Sequence, residues 1–200
     1  ARRLPRARLD TLAGVGHEPM HQAPRSFAAL LERALTEPPP ALRAEPPAPD
    51  PARDDLVCRG EVDRRYSGRF REVRIERCTA LRLDDVVADR IVVSDSIVQM
   101  TGVRVRADEV ALSVTNSELV ATACDLHGRV ALACDAARLD LAGARLTARE
   151  DGVRAERRSR LVASVSELRD AGYTGWWHED RELEREALDP RLPLRPLPAR

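Results

Sequence analysis

Short β-type pieces return in one register roughly every 20 residues between Val73 and Leu168. A small residue precedes one strand of each unit: Thr79, Ser96, Ser117, Ala137 and Ser159, at spacings of 17, 21, 20 and 22. The alternating residues that follow are Leu81/Leu83, Val98/Met100, Leu119/Ala121, Leu139/Leu141 and Leu161/Ala163. A unit this short cannot bury its apolar side chains alone. Repetition at near-constant length therefore predicts coils stacked into a solenoid.

Two further series run in step with the first. One is Val73/Ile75, Ile91/Val93, Val110/Leu112, Val130/Leu132 and Val153/Ala155; the other is Val86/Ala88, Val103/Val105, Cys124/Leu126, Ala144/Leu146 and Val165. Within each strand the apolar residues alternate with Arg, Asp, Glu or Ser, as one buried and one wet face require. Asp89, Asp108, Gly128 and Asp151-Gly152 supply turn residues between strands. The expected fold is all-β: a right-handed parallel β-helix of about five to six turns, with Leu56–Phe70 as an irregular first coil.

Proline marks the borders. All 14 prolines lie at or before Pro51, or at or after Pro190. Proline cannot donate to a β-ladder, so the proline-free interior is what continuous pairing demands. Three regions follow: an extended arm over 1–51, the β-helix over 52–170, and a cap and tail over 171–200. In the arm, Ser26 is the expected N-cap of a short helix over 26–36, with Phe27, Leu30, Leu31, Ala34 and Leu35 on one face. Such a helix is too short to stand alone and has to dock on something. Seven prolines between Glu37 and Pro51 make a stiff linker. After the last coil, Tyr173-Thr-Gly-Trp176-Trp177 is the expected cap, followed by a charged short helix over Glu179–Leu188 and a Pro-rich tail.

Composition narrows the chemistry. The 33 basic residues are all Arg and balance 33 acids, so the chain as a whole is no polyanion binder. Aromatics are 3% of the residues, which suits narrow coils filled by Val, Leu, Ile and Ala. No apolar run approaches the ~18 residues of a membrane span. Cys58, Cys78, Cys124 and Cys134 lack metal-ligand or CxxC spacing and are expected to be buried free thiols. That expectation, with no charged-then-apolar leader in view, points to the cytoplasm; the cell envelope or exterior is the alternative.

The weighing of sites favours binding over catalysis. Asp84, Asp85, Asp95, Asp125, Asp135 and Asp140 could pair as acid and base or hold Ca²⁺, but they occupy different places in the repeat. His17 and His21 have i, i+4 spacing, yet Pro19 between them argues against a helix. His127 and His178 stand alone. The arginines of residues 1–8 could touch an anionic surface, but without interleaved aromatics a nucleic-acid partner is not expected. No catalytic, cofactor-binding or metal residue is assigned, and no small-molecule substrate is expected. The candidate partner-binding anchors are Phe27, Leu30, Leu31, Trp176 and Trp177.

The stretch Ala-Arg-Leu-Asp-Leu-Ala-Gly-Ala-Arg-Leu-Thr (137–147) is similar to the coils of pentapeptide-repeat proteins. The layout, a proline-free β-solenoid between Pro-rich tails, resembles the bactofilins, bacterial cytoskeletal proteins that form polymers. The bactofilin resemblance implies a bacterial structural protein. The expected function is a scaffold subunit that binds protein partners or assembles with itself; the alternative is a β-helix that binds or cleaves polysaccharide.

Overall fold

The computed structural model describes residues 24–29 and 54–191. The helical segment, residues 24–29, belongs to a separate unit from the solenoid. It is already helical at Pro24, so Ser26 lies inside it and is not its cap. Proline suits the first turn of a helix, where its missing N–H costs nothing. The rest of the expected helix over 26–36, and all of the linker, lie outside the described residues.

From Leu56 the chain winds as a parallel β-solenoid of about six turns. Each coil contributes to three faces. The first face stacks Leu56–Arg59, residues 73–76 and 91–94, Val110–Thr115, Val130–Asp135 and Val153–Ala155. The second stacks residues 65–66 and 81–84, then Ile97–Thr101, Glu118–Thr122, Arg138–Ala142 and the start of Ser159–Arg169. The third stacks residues 68–70 and 86–88, Arg104–Arg106, Asp125–Gly128, Arg145–Ala148 and the end of Ser159–Arg169. Inward residues form continuous apolar columns, of which Leu81, Val98, Leu119, Leu139 and Leu161 are one; each is at most 3% exposed.

The corners explain the small residues of the repeat. Ser96 Oγ accepts the Cys78 amide at 2.9 Å and donates to the Ser94 carbonyl at 2.6 Å. Ser117 does the same for the Ser96 amide at 3.0 Å, and Ser159 for Ala137 at 3.1 Å. A buried hydroxyl on one coil thus satisfies the amide of the coil before it, at a bend where no strand partner is available. Cys78, not Thr79, holds this place in the second coil, and Thr79 is exposed. Counting back from Leu81 misleads because that corner carries one extra residue, Ala80, in the left-handed conformation (φ 55°).

The second corner has the same plan. A left-handed residue, Asp85, Gly102, Ala123, Gly143 or Val165, precedes a buried one. In the last coil Ser166 is the buried residue, accepting the Ala144 amide at 3.1 Å, while Val165 points outward at 75% exposure. The expectation that Val165 faces the core is therefore corrected. A β-branched residue at φ 48° is strained, and glycine already fills this corner in two other coils. Val165→Gly relieves a left-handed cost of about 1–2 kcal/mol, against about 0.5–1 kcal/mol of added chain entropy. The variant is expected to melt about 2–4 °C higher for a net gain near 1 kcal/mol. Calorimetry that finds it melting lower would show that the Val165 side chain contributes packing.

The solenoid ends differently from the expected charged helix over Glu179–Leu188. The chain reverses after Arg169, and Thr174–Leu183 runs antiparallel along Ser159–Arg169, covering the second and third faces. Glu186–Ala187 then pairs antiparallel with Val153–Ala155 on the first face. Trp177, Glu179 and Leu183 alternate inward at 4%, 2% and 0% exposure. Charge density reads as a solvated helix in isolation, but the open sheet edge of the last coil offers hydrogen bonds along its whole length, and strand pairing wins.

Candidate functional site

The outward faces are laced by ion pairs that run from coil to coil. Arg65 meets Asp84, Arg59 meets Glu76 at 2.8 Å, Arg145 meets Glu167 at 2.8 Å, and Arg138 meets Glu118 at 3.5 Å. Arg129 bridges Glu109 and Glu150 at 2.6 Å each, while Arg157 forks onto Asp135. The ladder reaches the cap through Arg160 to Asp180 at 2.7 Å and Arg158 to Glu182. Each exposed pair is worth at most about 1 kcal/mol. Their larger consequence is that the charges neutralise one another in place.

The candidate carboxylates are scattered by this arrangement. Asp84 and Asp140 lie on the second face, Asp125 on the third and Asp135 on the first; Asp85 and Asp95 sit at two different corners. Asp95 accepts from Asn116 Nδ2 at 2.6 Å. The hydrogen bond and charge of Arg157 hold the Asp135 carboxyl below the usual carboxylate range against a smaller opposing effect of burial. On the third face, Asp125 and Glu167 share a column with Arg145 between them. Partial burial of Glu167 opposes ionisation, but Arg145 and Arg169 together outweigh it and lower its carboxyl. A glycosidase-type general acid needs the opposite shift.

The four thiols are free and buried. Burial pushes Cys58 and Cys124 up to about 12 and Cys134 to about 11, with the Cys78 thiol adding to the effect on Cys58. Protonated thiols of this kind act as small hydrophobes, not nucleophiles. His127 and His178 are exposed, and His17 and His21 lie outside the described residues. Among the described residues no cluster of three His, Cys, Asp or Glu could hold a metal ion, and no helix is long and apolar enough to cross a membrane.

Of the expected partner anchors, Leu30 and Leu31 lie outside the described residues. Phe27 is half-buried within its helical segment. The two tryptophans part company. Trp177 closes the core of the chain itself, whereas Trp176 is 75% exposed on the third face, its carbonyl accepting from Tyr173 Oη at 2.5 Å. Alternation along Thr174–Leu183 separates them, where the sequence pattern predicts a cap followed by a charged helix.

Among the described residues, both ends of the solenoid carry strand edges on all three faces. Three outward columns run the full length. Val57, Arg74, Val92, Ser113, Ala133, Arg154 and Ala187 form the first. The second is Arg65, Arg82, Gln99, Val120, Asp140, Val162 and Asp180. The third is Arg69, Val87, Arg104, Asp125, Arg145, Glu167 and Trp176. Of these end residues sequence reasoning finds Trp176 alone; Asp180 and Ala187 escape it because the cap strands run antiparallel and break the 20-residue period. No protein-family model, no curated protein and no solved structure matches the chain.

Proposed function

We propose that this chain is a non-enzymatic structural protein, a rigid β-solenoid scaffold subunit that works by holding protein partners. One observation carries the reading: many of the outward charges pair with one another from coil to coil, as in Arg65–Asp84, Arg145–Glu167 and Arg157–Asp135, and do not converge on one spot. The four buried free thiols fit a reducing cytoplasm. The proline-bounded layout keeps its resemblance to bactofilins, and residues 137–147 theirs to pentapeptide-repeat coils. The polysaccharide-cleaving alternative is disfavoured by the scattered carboxylates and by the lowered carboxyl of Glu167.

The arm provides the test. Phe27 stands in the helical segment 24–29, in a unit separate from the solenoid. Deleting residues 1–50 is expected to leave the melting temperature of the solenoid unchanged while abolishing capture of the proteins that co-purify with the full chain. A deletion that unfolds the solenoid, or that leaves partner capture intact, defeats this reading. Release of reducing ends from a polysaccharide panel by the full chain would favour the enzyme instead.

A further inference from the structure

We propose that copies of this chain stack head to tail, the cap strand Thr174–Leu183 of one copy pairing with the first coil of the next; this rests on the scaffold reading and names a second copy as one partner. Among the described residues, Thr174–Leu183 pairs on one side only, with Ser159–Arg169, and the first coil pairs only with the second. Unpaired strand edges are templates for another strand.

The column ends say which edge fits. Laying a first coil on the cap in the same register, one strand spacing of about 4.8 Å further on, continues all three columns. On the second face Arg65 of the next copy falls beside Asp180, extending a ladder that already runs from Arg160 to Asp180 at one end and from Arg65 to Asp84 at the other. On the third face Arg69 falls on the exposed ring of Trp176, a cation on an aromatic face. The first face sets Val57, 50% exposed, on Ala187. Each of the three columns thus closes on a complementary pair.

Like-to-like contacts do not match in this way. Cap on cap brings together two copies of a strand whose outward acids include Asp180 and Glu182, and first coil on first coil brings Arg65 and Arg69 against themselves. Because the two mating surfaces are different, the contact is heterologous and leaves a free end at each addition, so the product is an open chain of copies.

Sedimentation of the full chain over a concentration series at low salt is expected to give an open-ended series of multimers that shortens as salt is raised. Two end-blocked variants decide the geometry. Arg65→Glu/Arg69→Glu spoils the first coil, and Trp176→Ala/Asp180→Ala spoils the cap. Each alone is expected to stay monomeric, and a mixture of the two to form one-to-one dimers that grow no further. Thermal melting checks that both are folded; if the first is not, Arg65→Gln/Arg69→Gln takes its place. A wild-type chain that is monomeric throughout, a blocked variant that still forms multimers, or a mixture that yields no dimer overturns the stacking. Self-association lost only when residues 1–50 are removed also overturns it while leaving the scaffold reading standing. Partner capture that survives that deletion does the reverse.

Discussion

Leu119→Asp is expected to unfold the solenoid or lower its stability by more than about 4 kcal/mol, because two costs add. Leu119 is 1% exposed between Val98 and Leu139 of the neighbouring coils. Removing a buried leucine side chain alone costs about 2–5 kcal/mol. A carboxylate in its place has no partner in an apolar column and is driven toward its protonated form. Its folded pKa then lies above the unfolded value near 3.9, so the penalty is smallest at acid pH and grows as pH rises through the unfolded value. Leu119→Asn, which loses the same packing without the charge, separates the two costs: the gap between the variants should widen from about pH 4 upward. Val120→Lys, one residue on and outward beside Asp140, is expected to change stability by less than about 0.5 kcal/mol. Chemical denaturation of the three variants measures all of this. A Leu119→Asp protein that melts like its parent would mean that Leu119 faces water.

That one residue can be assigned to core or solvent from sequence rests on two periods acting together. Alternation within a strand sorts Leu119 from Val120, and recurrence every 20 residues sorts strand from corner. Where only one period acts, the assignment shifts by a residue. Thr79 displaced Cys78 because an extra corner residue shifts the count without touching the strand pattern. Val165 displaced Ser166 because an apolar side chain outweighed a left-handed backbone that no local signal announces. The cap departs further from its sequence pattern: Glu179 and Arg181 look solvated, yet they occupy inward positions of a strand set by its pairing with Ser159–Arg169. Surface features fared worst. The column ends depend on stacking across all the coils, and neither composition nor spacing reveals that Asp180 ends the column that Arg65 begins.

The inward charges of the cap give the second large expected effect. Glu179 is 2% exposed, and its carboxylate lies 3.3 Å from Arg181 Nε, whose side chain is 10% exposed. Trp177 packs beside them on the same inner side of the strand, with its Nε1 buried and without a hydrogen-bond partner. Two buried charges cost desolvation, which their attraction offsets only while both are present. Glu179→Leu removes that carboxylate from Arg181, whose guanidinium also donates to the Asp189 carbonyl at 3.5 Å, and is expected to cost about 1.5–3 kcal/mol, the worth of a charged hydrogen bond. In a solenoid, stability is a sum of coil and neighbour terms, so the loss falls first on the cap and the last coil. Fluorescence reads it directly: Trp176 is already wet, so a red shift at temperatures where the coils still hold reports release of Trp177. Replacing the pair together, Glu179→Leu with Arg181→Leu, removes both desolvation costs and is expected to restore most of the loss. If the single variant keeps Trp177 buried up to the melting temperature of the parent, the ion pair does not hold the cap. In that case the backbone pairing of Thr174–Leu183 with Ser159–Arg169 is sufficient to close that end of the solenoid.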